Sequence, residues 1–177
     1  LEWCRGAGEG AVLAGASLGG LLALAVAPAV RPAALILVNP LPPAGVLARP
    51  LHDAWPAIVP WARTRSPAST QRAMPDADDA ARLFALRRWR DESGAVLNEA
   101  RDGVAVDAPR CPTLFLASED DADIPPAAVR ALAGRFSADF RSIPAASHVG
   151  PLLGRAAASV AADAAGWLAG RLDPPQA

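Results

Sequence analysis

Three stretches of the chain are apolar at almost every position, and the polar residues gather at their ends. Ala33-Ala34-Leu35-Ile36-Leu37-Val38 lies between Pro32 and Asn39-Pro40, the pattern of a strand buried on both faces of a parallel sheet. Thr113-Leu114-Phe115-Leu116-Ala117, introduced by Pro112, repeats it, and Ala11-Val12-Leu13-Ala14 is a shorter example. Asp139-Phe140-Arg141-Ser142-Ile143 instead alternates, as an outer strand with one wet face does. Helical stretches separate these strands. Leu21 to Val26 predicts a helix that ends before Pro28, and Pro125-Pro126 opens another that runs to about Phe136. From about Arg155 to Leu172, Val160, Ala164, Trp167 and Leu168 recur at helical spacing and form a stripe to pack on the sheet.

Between residues 41 and 109 the character changes: prolines scatter, charges rise and no strand-like run is found. A helix is expected over 76–90, with Asp76, Asp78 and Asp79 in its first turn and Arg87, Arg88 and Arg90 toward its end. The expected organisation is an α/β core of residues 1–40 and 110–177, with 41–109 as a helical insertion, or cap, over the sheet edge that carries the first strand. Trp55, Trp61 and Trp89 fall in the insertion and read as its core, with the lining of an acyl pocket as the other use for them.

Composition narrows the function classes. The chain has 177 residues, 52% of them hydrophobic, which suffices for one domain with a sizeable core. Its net charge is −1, and its densest basic cluster, Arg87-Arg88-Trp89-Arg90, is followed by Asp91-Glu92, so neither a nucleic acid nor a membrane is expected as partner. All 17 basic residues are Arg, which reflects coding bias more than binding. Cys4 and Cys111 make no disulfide framework, and with His52 and His148 far apart no metal site is expected. Cys111 reads as a small buried hydrophobe, and His52, among prolines and without an evident partner, as structural or exposed. No apolar stretch is long enough to span a bilayer, and the expected location is the cytoplasm. The chain begins at Leu1 rather than Met, so its true N-terminus is open.

The candidate chemistry starts at Gly15-Ala16-Ser17-Leu18-Gly19-Gly20, between the first strand and the first helix. A serine on a sharp strand-to-helix turn is held in a strained conformation, with Gly15 and Gly19 removing Cβ atoms that would collide. Its hydroxyl then faces a substrate, and the helix N-terminus points toward any oxyanion formed there. The plain alternative is an ordinary N-cap serine. Downstream lie an acidic loop, Ser118-Glu119-Asp120-Asp121-Ala122-Asp123-Ile124, and then Ser147-His148, each just past the end of a strand. A serine needs a base, and a histidine needs a carboxylate to fix its tautomer, so the order serine, acid, histidine carries meaning.

In these segments the chain resembles the α/β-hydrolases over nearly its whole length. The resemblance implies a three-layer α/β fold with a mostly parallel sheet. It also implies Ser17 as nucleophile, His148 as general base, Asp121 as acid and the backbone N–H of Leu18 as an oxyanion donor. Spacing within the family's acid loop selects Asp121. Asp123, the alternative, is better explained as the cap of the helix beginning at Pro125, while Glu119 and Asp120 are solvated. Some relatives carry the acid after the preceding strand, where this chain has the uncharged Asn39. The implied activity is hydrolysis of a carboxylic ester or related acyl bond in a small-molecule substrate, without a cofactor. A thioesterase, acyltransferase, carbon–carbon hydrolase or haloperoxidase would use the same three residues, and a non-catalytic binding domain is the rival from another class.

The chain departs from the family at its start. Only about ten residues precede the Ser17 strand, so the strands that normally flank it, and the second oxyanion donor they carry, are absent from this sequence. The expectation is the C-terminal part of a longer hydrolase or a shortened relative. In either, another segment or a second copy of the chain would cover the edge of the Ser17 strand.

Overall fold

The computed structural model describes residues 10–47 and 52–172. Cys4, and any strand formed before residue 10, lie outside the described residues. Four parallel strands form the central sheet: β1 (Val12–Ala16), β2 (Ala34–Val38), β5 (Thr113–Ser118) and β6 (Asp139–Ile143), in the spatial order β1-β2-β5-β6. The two runs that are apolar throughout are the two inner strands, and every residue of β2 and β5 is buried. β1 and β6 are the edges among the described residues, and most of their positions are half-buried.

Alternation along the inner strands divides the core into two layers. Leu35, Leu37, Phe115 and Ala117 pack with Ala23, Leu24 and Ala27 of α1 (Leu18–Val30) and with Val129, Leu132 and Ala133 of α6 (Pro126–Arg135). Ala34, Ile36, Val38, Leu114 and Leu116 face the other way, onto Ala164 and Trp167 of α8 (Ala157–Leu172), with Val160 and Leu168 beside them. The expected helical stripe therefore covers the sheet, and the architecture is the three-layer α/β arrangement. Trp167 also donates its indole N–H to Asp139 at 2.8 Å, which ties α8 to the outer strand β6.

Several local expectations are corrected. The first helix does not stop before Pro28; it continues to Val30 and ends on Arg31 in the left-handed region. Proline within the last turn removes the hydrogen bond it would have donated to Leu24 and crowds that carbonyl, a cost offset by the packing of this helix on the sheet. The segment between β2 and β5 does contain strands, a two-residue antiparallel pair of β3 (Ile58–Val59) and β4 (Glu92–Ser93). Two residues are too few to show a period. Around this pair lie α2 (Trp61–Thr64), α3 (Pro67–Ala73), α4 (Asp79–Leu86) and α5 (Gly94–Asp102), and α5 rests against α1. The helix expected over 76–90 is α4, capped by Asp78, whose carboxylate accepts the Ala81 N–H at 2.8 Å. Asp76 precedes it and is used elsewhere. Trp55, Trp61 and Trp89 pack on one another with ring centroids 6.0 and 6.4 Å apart, as a small core of this segment. His52 has a partner after all, since its ring packs at a tilt against that of Trp55, with centroids 4.8 Å apart.

Glycine matters unequally around Ser17. A Cβ on Gly15 would sit 2.3 Å from the Gly19 carbonyl oxygen, and one on Gly20 would sit 2.6 Å from Cβ of Pro40, whereas one on Gly19 meets nothing within 4 Å. Gly15 and Gly20 permit the close strand–helix approach, and the expected role of Gly19 is corrected. Gly15→Ala is expected to destabilise the fold by about 1–3 kcal/mol, because backbone must move. Gly19→Ala should leave it unchanged or raise stability by up to about 1 kcal/mol through helix propensity. Urea unfolding midpoints of the two variants check this, and equal losses would contradict it.

Candidate active site

All the candidate residues leave the sheet at one end. Ala16, Val38 and Leu116 lie side by side in register, so Ser17 and Asn39 emerge from adjacent strands at the same level, with the acid loop beyond β5 and His148 beyond β6. Ser17 adopts φ 52° and ψ −124°, a conformation that costs a non-glycine residue on the order of 1–3 kcal/mol. Its backbone is held firmly: its N–H donates to Val38 O at 3.0 Å, and its carbonyl accepts from Gly20 and from Leu41, each at 3.0 Å. Its side chain makes no capping hydrogen bond. An N-cap serine has extended backbone and accepts from the first turn with its hydroxyl, so the plain alternative fails on both counts. Leu18 is the first residue of α1, and its N–H therefore has no acceptor within the helix.

Asp121 and His148 meet directly. His148 Nδ1 lies 2.8 Å from Asp121 Oδ2, and the side chains are 14% and 1% exposed respectively. The other carboxylate oxygen, Oδ1, accepts the backbone N–H groups of Asp123 and Ile124, both at 2.8 Å. An ionised carboxylate can only accept, so Nδ1 carries the proton and Nε2 is left with its lone pair. Burial pulls the His148 pKa down, but the hydrogen bond and charge of Asp121, with the charge of Asp123, outweigh it and raise the pKa above 6.5. Asp123 is exposed and does not cap the following helix: the cap position is Pro125, which has no side chain to offer. Glu119 is solvent-exposed as expected, and its carboxylate accepts from the Ser142 hydroxyl at 2.8 Å.

Two residues that sequence reasoning missed hold the histidine loop. Asn39, buried and at φ 43°, donates from Nδ2 to Ser118 Oγ at 2.8 Å and to the His148 carbonyl at 2.7 Å, and accepts from Ser118 N with Oδ1 at 2.8 Å. It sits where some relatives carry the acid, but its amide binds the histidine's backbone and not its ring. Asp76 accepts from Ser147 Oγ at 2.6 Å and from Ser147 N at 3.1 Å. The only sequence signals were an asparagine closing an apolar run and an aspartate ahead of a helix, both of which have common local explanations.

No hydrogen bond joins Ser17 to His148 among the described residues; what brings them together is the shared sheet end. Asp121, Asp123 and His148 are the group among the described residues whose ligand atoms approach within 4.8 Å of one another. Both Asp121 oxygens already accept hydrogen bonds, so a cation there would have to displace them. A cavity of about 160 Å³, lined by Cys111, Thr113, Asp139 and Arg171 among others, lies at the opposite end of the sheet, where β5 and β6 begin. It is remote from this chemistry. Cys111 is only half-buried there, and burial pushes its thiol pKa up. No helix among the described residues is long and apolar enough to cross a membrane.

Comparison with known proteins agrees with this architecture. The family model described as "Alpha/beta hydrolase family" matches residues 1–163. No curated protein matches the sequence significantly. Among solved structures, a variant of tomato methylketone synthase I complexed with beta-ketoheptanoate superimposes with a TM-score of 0.62 at 10% identity, covering 93% of this chain and 73% of the other. The monoacylglycerol lipase of Paleococcus ferrophilus gives 0.58 at 17% identity, covering 96% and 72%. Est1E from Butyrivibrio proteoclasticus gives 0.54 at 18% identity, covering 90% of this chain and 60% of its own length. At these identities the likeness is one of fold.

Proposed function

The chain belongs to the alpha/beta hydrolase family, and on that premise we propose that it is a serine hydrolase that cleaves a carboxylic ester or related acyl bond of a small molecule. Ser17 Oγ attacks the acyl carbonyl while His148 Nε2 takes its proton, and Asp121 stabilises the imidazolium so formed. The Leu18 N–H, at the start of α1, donates to the developing oxyanion. The tetrahedral intermediate collapses with His148 returning the proton to the leaving alcohol. Water, deprotonated by the same nitrogen, then releases the acid and restores Ser17. Residues 41–109 act as the cap that shapes the acyl pocket over this end of the sheet. No cofactor takes part in any of these steps.

The observation that carries this reading is the buried Asp121 carboxylate, with one oxygen on His148 Nδ1 and the other on two backbone N–H groups. A solvated surface pair needs no such arrangement. The strained, uncapped Ser17 adds to it. Ester hydrolysis is preferred over the other reactions of the fold because a lipase and an esterase-named protein are among the similar structures, polyneuridine aldehyde esterase giving a TM-score of 0.58 at 14% identity. A binding domain is the second reading, favoured by β1 being an edge among the described residues.

The test is the intact mass of the purified chain after exposure to a fluorophosphonate. One adduct per chain is expected, because the reagent bonds only to a serine whose proton a base removes. A folded chain that acquires none would overturn the hydrolase in favour of the binding domain.

A further inference from the structure

We infer that Asp76 is a positioning residue for His148, coupling the segment between β2 and β5 to the base; the inference rests on the reading of His148 given above. Asp76 lies in that segment, 71 residues away in sequence from Ser147, and its two oxygens take both donors of the residue that precedes the histidine, Oγ and N–H. A carboxylate bound to both restrains the backbone and the side chain of Ser147 together. Its own backbone is anchored on either side, since Met74 and Ala77 are buried and the Arg155 N–H donates to the Asp76 carbonyl at 3.2 Å.

The loop has also made room for this carboxylate. A Cβ on Gly150 would lie 2.1 Å from Asp76 Oδ2, and one on Gly154 would lie 2.8 Å from it. Two glycines from the turn after His148 thus border an oxygen supplied by a distant segment. Asn39 holds the His148 carbonyl from the sheet side. The histidine is therefore gripped in three places: its carbonyl by Asn39, its ring by Asp121, and the residue before it by Asp76. Of these, only the Asp76 grip comes from the segment between β2 and β5. The position of that segment is therefore coupled to the base through Ser147.

Asp76→Asn replaces the oxygen that accepts from Ser147 Oγ by an amide N–H₂, so a short charge-assisted bond becomes at best a weaker neutral one in which the hydroxyl accepts. The expected result is a fall in kcat for p-nitrophenyl acetate of about 10- to 100-fold, the effect of a misplaced catalytic group, with KM little changed. The downfield proton resonance of the His148–Asp121 hydrogen bond should shift or broaden by exchange with water. Gly150→Ala should act in the same direction by displacing the carboxylate. A variant with parental kcat and an unchanged resonance would overturn the inference. So would lowered stability with the kcat of the folded fraction preserved, which is what a merely structural anchor gives. Should Asp76→Asn fail to fold, Ser147→Ala, which deletes only the Oγ donor, carries the same comparison with a smaller expected loss. The resonance separates this inference from the hydrolase reading: a parent chain without turnover would sink the latter, and the resonance of the variant would still decide the role of Asp76.

Discussion

Ser17→Ala is expected to abolish both fluorophosphonate labelling and ester turnover while leaving the fold intact. Removing a nucleophile of this type lowers kcat by on the order of 10⁶-fold, leaving only what binding and the oxyanion donor contribute. Stability should change by less than about 1 kcal/mol, because the Ser17 hydroxyl makes no capping bond whose loss would cost the helix anything. The backbone bonds from Ser17 to Val38, Gly20 and Leu41 do not involve the side chain and survive the change. Turnover of p-nitrophenyl acetate, intact mass and the urea midpoint measure the three quantities. A variant that still acquires the adduct would place the reactive serine elsewhere, and a variant that unfolds would make Ser17 structural.

Asp121→Asn is expected to cost on the order of 10⁴-fold in kcat at neutral pH. An amide presented to Nδ1 can donate, which favours the tautomer with its proton on Nε2, the wrong nitrogen for a base. The pH profile gives a second readout with a definite sign. In the parent, the charges that raise the His148 pKa outweigh the burial that lowers it, so kcat/KM should climb with pH through a value above 6.5, as the ring loses its proton. In Asp121→Asn the burial remains while the hydrogen bond to a carboxylate and its charge are gone. The limb of the residual activity should therefore move to lower pH. Asp123→Asn removes only the smallest contribution from an exposed group, and should shift the limb slightly without the loss in kcat. Equal losses in the two variants would reassign the acid.

What was legible before the structure follows from what burial writes into a local sequence. β2 and β5 are apolar at nearly every position because both faces are covered, and the α8 stripe shows its period because one face is. The order of Ser17, Asp121 and His148 beyond the ends of β1, β5 and β6 is likewise a property of the linear chain. Features with competing local explanations were misread. Asp123 and Asp76 both precede helices, where an aspartate ordinarily caps or complements the first turn, yet the helix after Asp123 begins on a proline and Asp76 bonds to a loop 71 residues away. Gly15, Gly19 and Gly20 are equivalent as letters, and only the approach of Pro40 and of the helix backbone separates them.

The sequence by itself therefore determined the layer architecture and singled out the three candidate groups, because burial period, turn chemistry and strand ends are local. The tertiary structure alone decided which carboxylate meets the imidazole, and that Asn39 and Asp76 secure the loop that bears it. Those hydrogen bonds span 27, 109 and 71 residues, and no local preference encodes a partner at such a distance. They exist because the parallel register brings the ends of β1, β2, β5 and β6 together at one rim, where groups leaving water must find partners among themselves.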